Sequence, residues 1–277
     1  MKTKFLEHFW ITIWKTVLFL IFWGLLQAPL LIPFMKLFNK FFPPEWSRLI
    51  TELIPFISIL SACLIMTKFV EKRKFSTLGF QSERIINNIS IGLIIGLFWI
   101  IISFVGQYVF GTIFKGAQNT IPAGTFIIYG IALLVNAFLQ EILFRSYIYQ
   151  SIETNFNALS AIIITSVLFS VVHIGAIKAG IIPSFNVFGA GLVFAIAYYK
   201  TKTLWMPITI HFIWNFLVSS ILYKPIPDYK GLELFQLKGS NLLAGGENGV
   251  QTTILTTFTI IIVIMLELLI IKPQKTK

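Results

Sequence analysis

Residues 89–110, with the sequence ISIGLIIGLFWIIISFVGQYVF, contain no charged side chain. A helix needs about 20 predominantly apolar residues to cross the hydrocarbon core of a bilayer, so this stretch predicts a membrane-spanning helix. The whole chain has a matching composition: of its 277 residues, 56% are hydrophobic and 12% are charged, whereas soluble domains carry about 25% charged residues. This composition excludes a disordered chain and a nucleic-acid-binding module. The single cysteine, Cys63, excludes an internal disulfide framework.

Seven other apolar stretches are candidate spans. The eight predicted spans are residues 9–34, 49–67, 89–110, 125–148, 158–174, 182–199, 204–223 and 253–271. We therefore expect an all-α fold, a polytopic integral membrane helical bundle with about eight transmembrane helices in a single domain, 1–277. Pro29 and Pro33 should kink or end the first helix, because proline lacks a backbone donor. The fifth and sixth spans are short and polar, so they should lie inside the bundle.

The 22 lysine and arginine residues predict how the chain is oriented. With the N-terminus placed in the cytoplasm, 13 of them fall on the cytoplasmic side and 8 on the outer side, and Lys15 lies within the first span. Cytoplasmic loops carry an excess of these residues, so we expect a multi-pass protein of the cell membrane with both termini cytoplasmic. The lipid bilayer is then its partner, and the net charge of +11 requires no nucleic acid. Residues 224–251, with several Pro and Gly, predict an outer loop or a partly ordered lid.

Ionisable side chains at membrane depth are energetically costly, so each is a candidate functional residue. Lys15, Glu52 and Glu267 lie near span ends, where snorkelling to the interface accounts for them. Three pairs on the late spans are different, because each places its two side chains on one helical face at a spacing of four residues. These pairs are Glu141 and Arg145, Phe169 and His173, and His211 and Asn215. Each alone is compatible with a structural role, but together they predict one polar cavity.

The three pairs resemble the motifs of the CPBP intramembrane proteases, also called the Abi or CAAX-protease family, whose best-known members are the type II CAAX prenyl endopeptidases. The family motifs are EExxxR, FxxxH and HxxxN. This chain has them in order within a protease core at about residues 125–220, as Gln140-Glu141-Ile-Leu-Phe-Arg145, Phe169-Ser-Val-Val-His173 and His211-Phe-Ile-Trp-Asn215. The resemblance implies hydrolysis of a peptide bond in a membrane-associated or prenylated substrate.

The resemblance also implies roles for these residues. Glu141 and His173 would polarise the attacking water. His211 and Asn215 would donate hydrogen bonds to the developing oxyanion. Gln140, Arg145 and Phe169 would support the site.

The first motif departs from the family pattern at Gln140, where the family usually has glutamate. Glutamine cannot accept a proton at neutral pH, so Gln140 cannot be the general base. Glu141 could take this role, although adjacent side chains on a helix point about 100° apart. Alternatively, the chain is a catalytically inactive family member that acts as a membrane interaction or bacteriocin self-immunity protein.

The residues leave two further points open. Glu141, His173 and His211 would form a His₂Glu set for zinc or another divalent metal, but no HExxH motif is present and a metal-independent mechanism is favoured. A two-aspartate protease is excluded, because Asp228 in the outer loop is the sole aspartate. A transporter with a proton or ion path is a third interpretation, which the lack of any visible internal repeat disfavours.

Overall fold

The computed structural model describes residues 2–38, 40–81, 83–115, 122–220, 235–245 and 249–273. The helices within these ranges are α1 (Lys2–Pro33), α2 (Pro44–Ile65), α3 (Ile85–Val109), α4 (Ala123–Glu141), α5 (Tyr149–Asn155), α6 (Ala158–Val172), α7 (Ile174–Ala179), α8 (Ile181–Thr201), α9 (Trp205–Ser220), α10 (Asn241–Ala244) and α11 (Ile254–Ile270). Two short strands, β1 (Ile113–Lys115) and β2 (Phe235–Leu237), form an antiparallel ribbon. A π-helical segment, Ile142–Ile148, joins α4 to α5 without a break.

Each predicted span coincides with a helix of the described chain. Five helical segments are long and apolar enough to cross a membrane: Lys4–Leu37, Pro44–Val70, Ile85–Val109, Ala123–Asn155 and Ile181–Thr201. The other three predicted spans correspond to α6, α9 and α11, which are shorter, at 15, 16 and 17 residues. Residues 221–223 of the seventh predicted span lie outside the described residues. The prediction of a polytopic helical membrane bundle is confirmed.

Proline positions and burial test two finer predictions. The α-helical part of the first helix ends at Pro33, but the helical segment continues through a π-helical turn, Phe34–Phe38, so neither Pro29 nor Pro33 ends it. The sixth predicted span lies inside the bundle as predicted, since α8 is the most buried of the five long segments. The fifth does not: only the stripe containing Ala161, Thr165, Ser166 and Phe169 is buried on α6, while residues such as Val167 and Val171 are exposed. The spacing of that stripe turns one face of α6 to α8 and leaves the other outward.

The most extensive contacts in the bundle are between helices that are not consecutive in the chain. The most extensive packing is between α3 and α9, α2 and α4, and α6 and α8, and α11 packs on α8 and α3. Small residues allow the closest of these approaches: a Cβ atom added to Gly191 on α8 would lie 3.0 Å from the Cα atom of Ser166 on α6. These pairs bring the late helices, with their polar motifs, against α2 and α3.

The predicted outer loop and one predicted snorkelling residue can also be compared with the structure. Of residues 224–251, 224–234 and 246–248 lie outside the described residues, and the remainder contains β2, which pairs with β1 through Ile113 and Leu237, and α10. Glu267 is fully buried on α11, so the snorkelling interpretation is wrong for it. The packing of α11 on α8 and α3 places this face of the helix inside the bundle.

Candidate active site

A cavity of about 310 Å³ lies among α2, α3, α4, α6, α8, α9 and α11. Five predicted site residues line it: Gln140, Phe169, His173, His211 and Asn215. Three helices contribute them, since α4 carries the glutamine, the end of α6 the phenylalanine and the first histidine, and α9 the second histidine and the asparagine. Trp99 and Trp214, whose rings stack at 4.0 Å, form part of the wall. Residues of all three motifs therefore line one cavity, whereas Glu141 and Arg145 of the first motif do not.

Glu141 is the predicted site residue whose position differs most from expectation. Its side chain is fully buried, with Oε1 2.8 Å from Nδ1 of His211 and Oε2 3.3 Å from Nε of Arg145. Among the described residues that line the cavity, Gln140 is present and Glu141 is not. A helix turns about 100° per residue, so when Gln140 faces the cavity, Glu141 points elsewhere and contacts Nδ1 of His211 outside the cavity lining. The geometry therefore does not support the expectation that Glu141 polarises a water together with His173.

Arg145 and Phe169 explain how this buried pair is held. Arg145 is fully buried, and its Nη2 donates to the carbonyl of Gly191 at 2.9 Å. The guanidinium lies 4.7 Å from the centre of the Phe169 ring. That ring also contacts His173 at 4.5 Å and His211 at 5.8 Å between ring centres. Phe169 thus packs between the two histidine rings and also contacts the buried guanidinium of Arg145.

The contacts of the two histidines set their hydrogen-bonding roles. An ionised carboxylate only accepts, so Nδ1 of His211 donates to Glu141. The same ring stacks on Phe194 at 4.5 Å and 12°. His173 caps the end of α6, and its Nδ1 lies 2.6 Å from the carbonyl oxygen of Phe169, which also only accepts. Both rings are therefore fixed through Nδ1, and Nε2 is the nitrogen available to a ligand.

The three residues predicted as a possible metal set do not form one in this arrangement. The carboxylate oxygens of Glu141 face Arg145 and His211 Nδ1 and not a position shared with His173. Over the described part of the chain, no group of three His, Cys, Asp or Glu side chains is close enough to hold a metal ion. A zinc ligand set of two histidines and one carboxylate requires all three to converge, so these residues do not fit a His₂Glu centre.

Three residues of the site region were not assigned to it from the sequence. Arg48, at the cavity, lies 2.7 Å from Glu52 through Nη2 and Oε1. Asn136 donates through Nδ2 to Oε2 of Glu52 at 2.9 Å, and Gln140 donates through Nε2 to Oδ1 of Asn136 at 3.0 Å. Glu52 is 7% exposed, so snorkelling does not account for it. Each helix shows its own pair at a spacing of four residues, but only tertiary packing brings α2 against α4.

Comparison with known proteins covers the same helices as the motifs. Residues 122–217 match the family model described as Type II CAAX prenyl endopeptidase Rce1-like. This match and the three motifs indicate similarity to the CAAX protease family. Over 262 residues the chain is also 27% identical to YdiL of Bacillus subtilis (strain 168), which is named as a proposed membrane peptidase; the alignment covers 87% of this chain and 98% of that protein. These similarities support a CAAX-type membrane protease at the level of the family, and the matched residues, 122–217, contain all the motif residues that meet at the cavity.

Proposed function

We propose that the protein is an intramembrane endopeptidase that hydrolyses a peptide bond in a membrane-associated or prenylated substrate. The observation that carries this proposal is the meeting of Gln140, His173, His211 and Asn215 at one cavity. Polar side chains at membrane depth are functional in most cases, and here they surround a space instead of pairing with each other. Such a space can hold a water molecule and a section of extended peptide.

His173 is the proposed general base. Its Nδ1–H donates to the Phe169 carbonyl, so Nε2 of the neutral ring can accept a proton from a water in the cavity. The water oxygen then forms a bond with the scissile carbonyl carbon, and the proton on Nε2 passes to the leaving amine as the carbon–nitrogen bond breaks. General-base catalysis of this kind contributes about 10²–10⁴ in rate. Gln140 would orient the water without taking its proton.

His211 and Asn215 are the proposed oxyanion donors. Glu141 holds Nδ1 of His211, so Nε2 lies on the opposite side of the ring, where a protonated Nε2 would donate a hydrogen bond to the oxyanion. Asn215 lies one helical turn further along α9 and offers an amide N–H. Removing one oxyanion donor costs about 10²–10³ in turnover. Glu141 is then a positioning residue, and we propose a reaction that uses no metal.

One observation favours a second candidate function. The residue at the cavity in the first motif is Gln140, and an amide cannot serve as a proton acceptor. A protein that keeps the cavity but has an amide at position 140, where the family usually has a carboxylate, could bind a membrane segment without cleaving it. The alternative is therefore a catalytically inactive family member that acts as a membrane interaction or self-immunity protein.

Cleavage assays on the purified protein in detergent distinguish the two candidates. A panel of prenylated and unprenylated membrane peptides is incubated with wild type, His173→Ala, Asn215→Ala and His8→Ala, with and without chelator. His8 is the exposed histidine on α1 and serves as the matched control. We expect cleavage by wild type and His8→Ala, and a loss of at least about 10² in kcat for the other two variants.

Three results would contradict this proposal. If wild type and His8→Ala cleave no peptide while Gln140→Glu does, the inactive-member alternative is correct. If His173→Ala retains full activity, the assignment of the base is wrong. If chelator abolishes cleavage, a metal takes part.

A further inference from the structure

The polar chain from α2 to the cavity has a fixed hydrogen-bond direction. Glu52 accepts from Arg48 on one oxygen and from Asn136 on the other. A carboxylate has no donor, so Asn136 must turn its NH₂ group to Glu52 and its oxygen to Gln140. Gln140 must then turn its own NH₂ group to Asn136. The direction follows from the charge of Glu52 and does not depend on telling nitrogen from oxygen in the amides.

The consequence of this direction appears at the end of the chain. The oxygen Oε1 of Gln140 is buried and has no hydrogen-bond donor among the described residues. It belongs to a side chain that lines the cavity. An unsatisfied buried acceptor is energetically costly, so it favours a donor such as a water O–H. A carboxylate on α2 therefore determines what kind of group α4 offers to the cavity.

We propose that Glu52 is a positioning residue of the active site: through Asn136 it makes Gln140 a hydrogen-bond acceptor that orients the attacking water. This inference rests on the proposed function for its effect on catalysis. The coupling between residues 52 and 140 is a property of the hydrogen-bonded amides and does not depend on the proposed function. Asn136 has a single NH₂ group, so it can donate to a carboxylate on one side only. The hydrogen-bonded chain therefore accommodates a glutamate at position 52 or at position 140, but not at both.

Single substitutions should therefore disturb the chain in opposite ways. In Glu52→Gln, Arg48 holds the new amide oxygen, so the new NH₂ group faces Asn136, and the whole chain reverses. Gln140 then presents NH₂ to the cavity, and we expect kcat to fall about tenfold, the effect of one lost hydrogen bond, with little change in KM. In Gln140→Glu, two carboxylates compete for the one NH₂ group of Asn136, which lowers the melting temperature.

The double variant Glu52→Gln/Gln140→Glu should relieve this conflict. The new amide at position 52 can donate to Asn136, and Asn136 can donate to the new carboxylate at position 140, so every group has a partner. We expect its melting temperature to return to within the error of wild type, and its kcat to exceed that of either single variant. A carboxylate at the cavity would also add a proton acceptor, which extends activity to lower pH than wild type. Each of these changes differs from the sum of the single effects.

The experiment is a double-mutant cycle measured by melting temperature in detergent and by kcat and KM on a cleaved peptide. The matched control is Glu267→Gln, which removes a different buried carboxylate, on α11, far in sequence from the hydrogen-bonded side chains that link Arg48 to Gln140. Combined with Gln140→Glu, this control substitution should not restore the melting temperature. In an Asn136→Ala background the coupling between positions 52 and 140 should disappear.

The two readouts separate this inference from the proposed function. Additive effects of Glu52→Gln and Gln140→Glu on melting temperature, or equal rescue by Glu267→Gln, overturn the inference even when wild type is active. Non-additive melting temperatures support the amide chain, and if no variant cleaves any peptide, it is the proposed function that fails. Non-additive melting temperatures with a kcat unaffected by Glu52→Gln overturn the positioning role of Glu52.

Discussion

Gln140 and Glu141 are adjacent in the chain but occupy different environments, because a helix turns about 100° per residue. Gln140 faces the cavity, whereas Glu141 is fully buried between Arg145 and His211. A buried ion pair gains little over an apolar pair, but removing one partner leaves an uncompensated charge and is strongly destabilising. Glu141 is therefore important to the site through the ring that it holds and the charge that it balances.

Arg145→Leu should lower the free energy of unfolding by about 3–5 kcal/mol, because Glu141 would remain buried without its cation. The double variant Glu141→Gln/Arg145→Leu should recover most of this loss, since the charge is then absent. Thermal and denaturant unfolding in detergent measure both. Arg73→Leu is the control: its pair with Glu71 is partly exposed, and such pairs contribute about 0–1 kcal/mol. Equal effects of the two arginine variants would show that Glu141 and Arg145 are not a buried pair in the membrane.

At the scale of the elements, the site depends on how closely α6 approaches α8. α6 ends at Val172 and His173 caps it, so a displacement of this helix moves the proposed base. The approach is set by Gly191, whose carbonyl also accepts the hydrogen bond of Arg145. Small residues permit such contacts between membrane helices. The packing of one helix pair thus positions groups from two of the three motifs.

Gly191→Ala should reduce kcat more than it reduces protein yield. The added Cβ atom would lie 3.0 Å from Ser166 Cα, so α6 must shift by a few tenths of an ångström. Overpacking of this kind costs about 1–3 kcal/mol. Gly124→Ala on α4 is the matched control, because nothing lies within 4 Å of its added Cβ atom. Activity and melting temperature of the two variants provide the test, and identical behaviour would mean that α6 and α8 are not in close contact.

At the scale of the whole molecule, the cavity lies towards one face of the bundle. Arg48 near the start of α2, Asn186 near the start of α8 and Gln251 just before α11 all line it. These helix ends lie on the side that the distribution of Lys and Arg predicts to be outside the cell. The proposed substrate would then approach from the outer face, as long as both termini are cytoplasmic.

Labelling of single cysteines tests this orientation in intact cells. In a Cys63→Ala background, Lys178→Cys on α7 should react with a membrane-impermeant thiol reagent. Lys74→Cys, between α2 and α3, should react only after the membrane is permeabilised. Both lysines are exposed, which makes the two variants a matched pair. The reverse pattern would place the cavity on the cytoplasmic face and both termini outside.

The sequence by itself was sufficient to predict the helical membrane fold, and its motifs include five residues that line the cavity, while Glu141 and Arg145 of the first motif lie outside the lining. Both rest on local properties: apolar length determines a span, and a spacing of four residues places two side chains on one helical face. The same periodicity gives only the angle between neighbouring residues on a helix. It does not give the rotation of that helix within the bundle.

Tertiary structure decided which side chain of the Gln140-Glu141 pair faces the cavity and which holds His211. It also decided that Glu52, 84 residues from Asn136, joins the site. Neither result follows from a local pattern, because helix rotation and helix adjacency are set by packing between segments far apart in the chain. The polar chain from Arg48 to Gln140 forms only because α2 packs against α4.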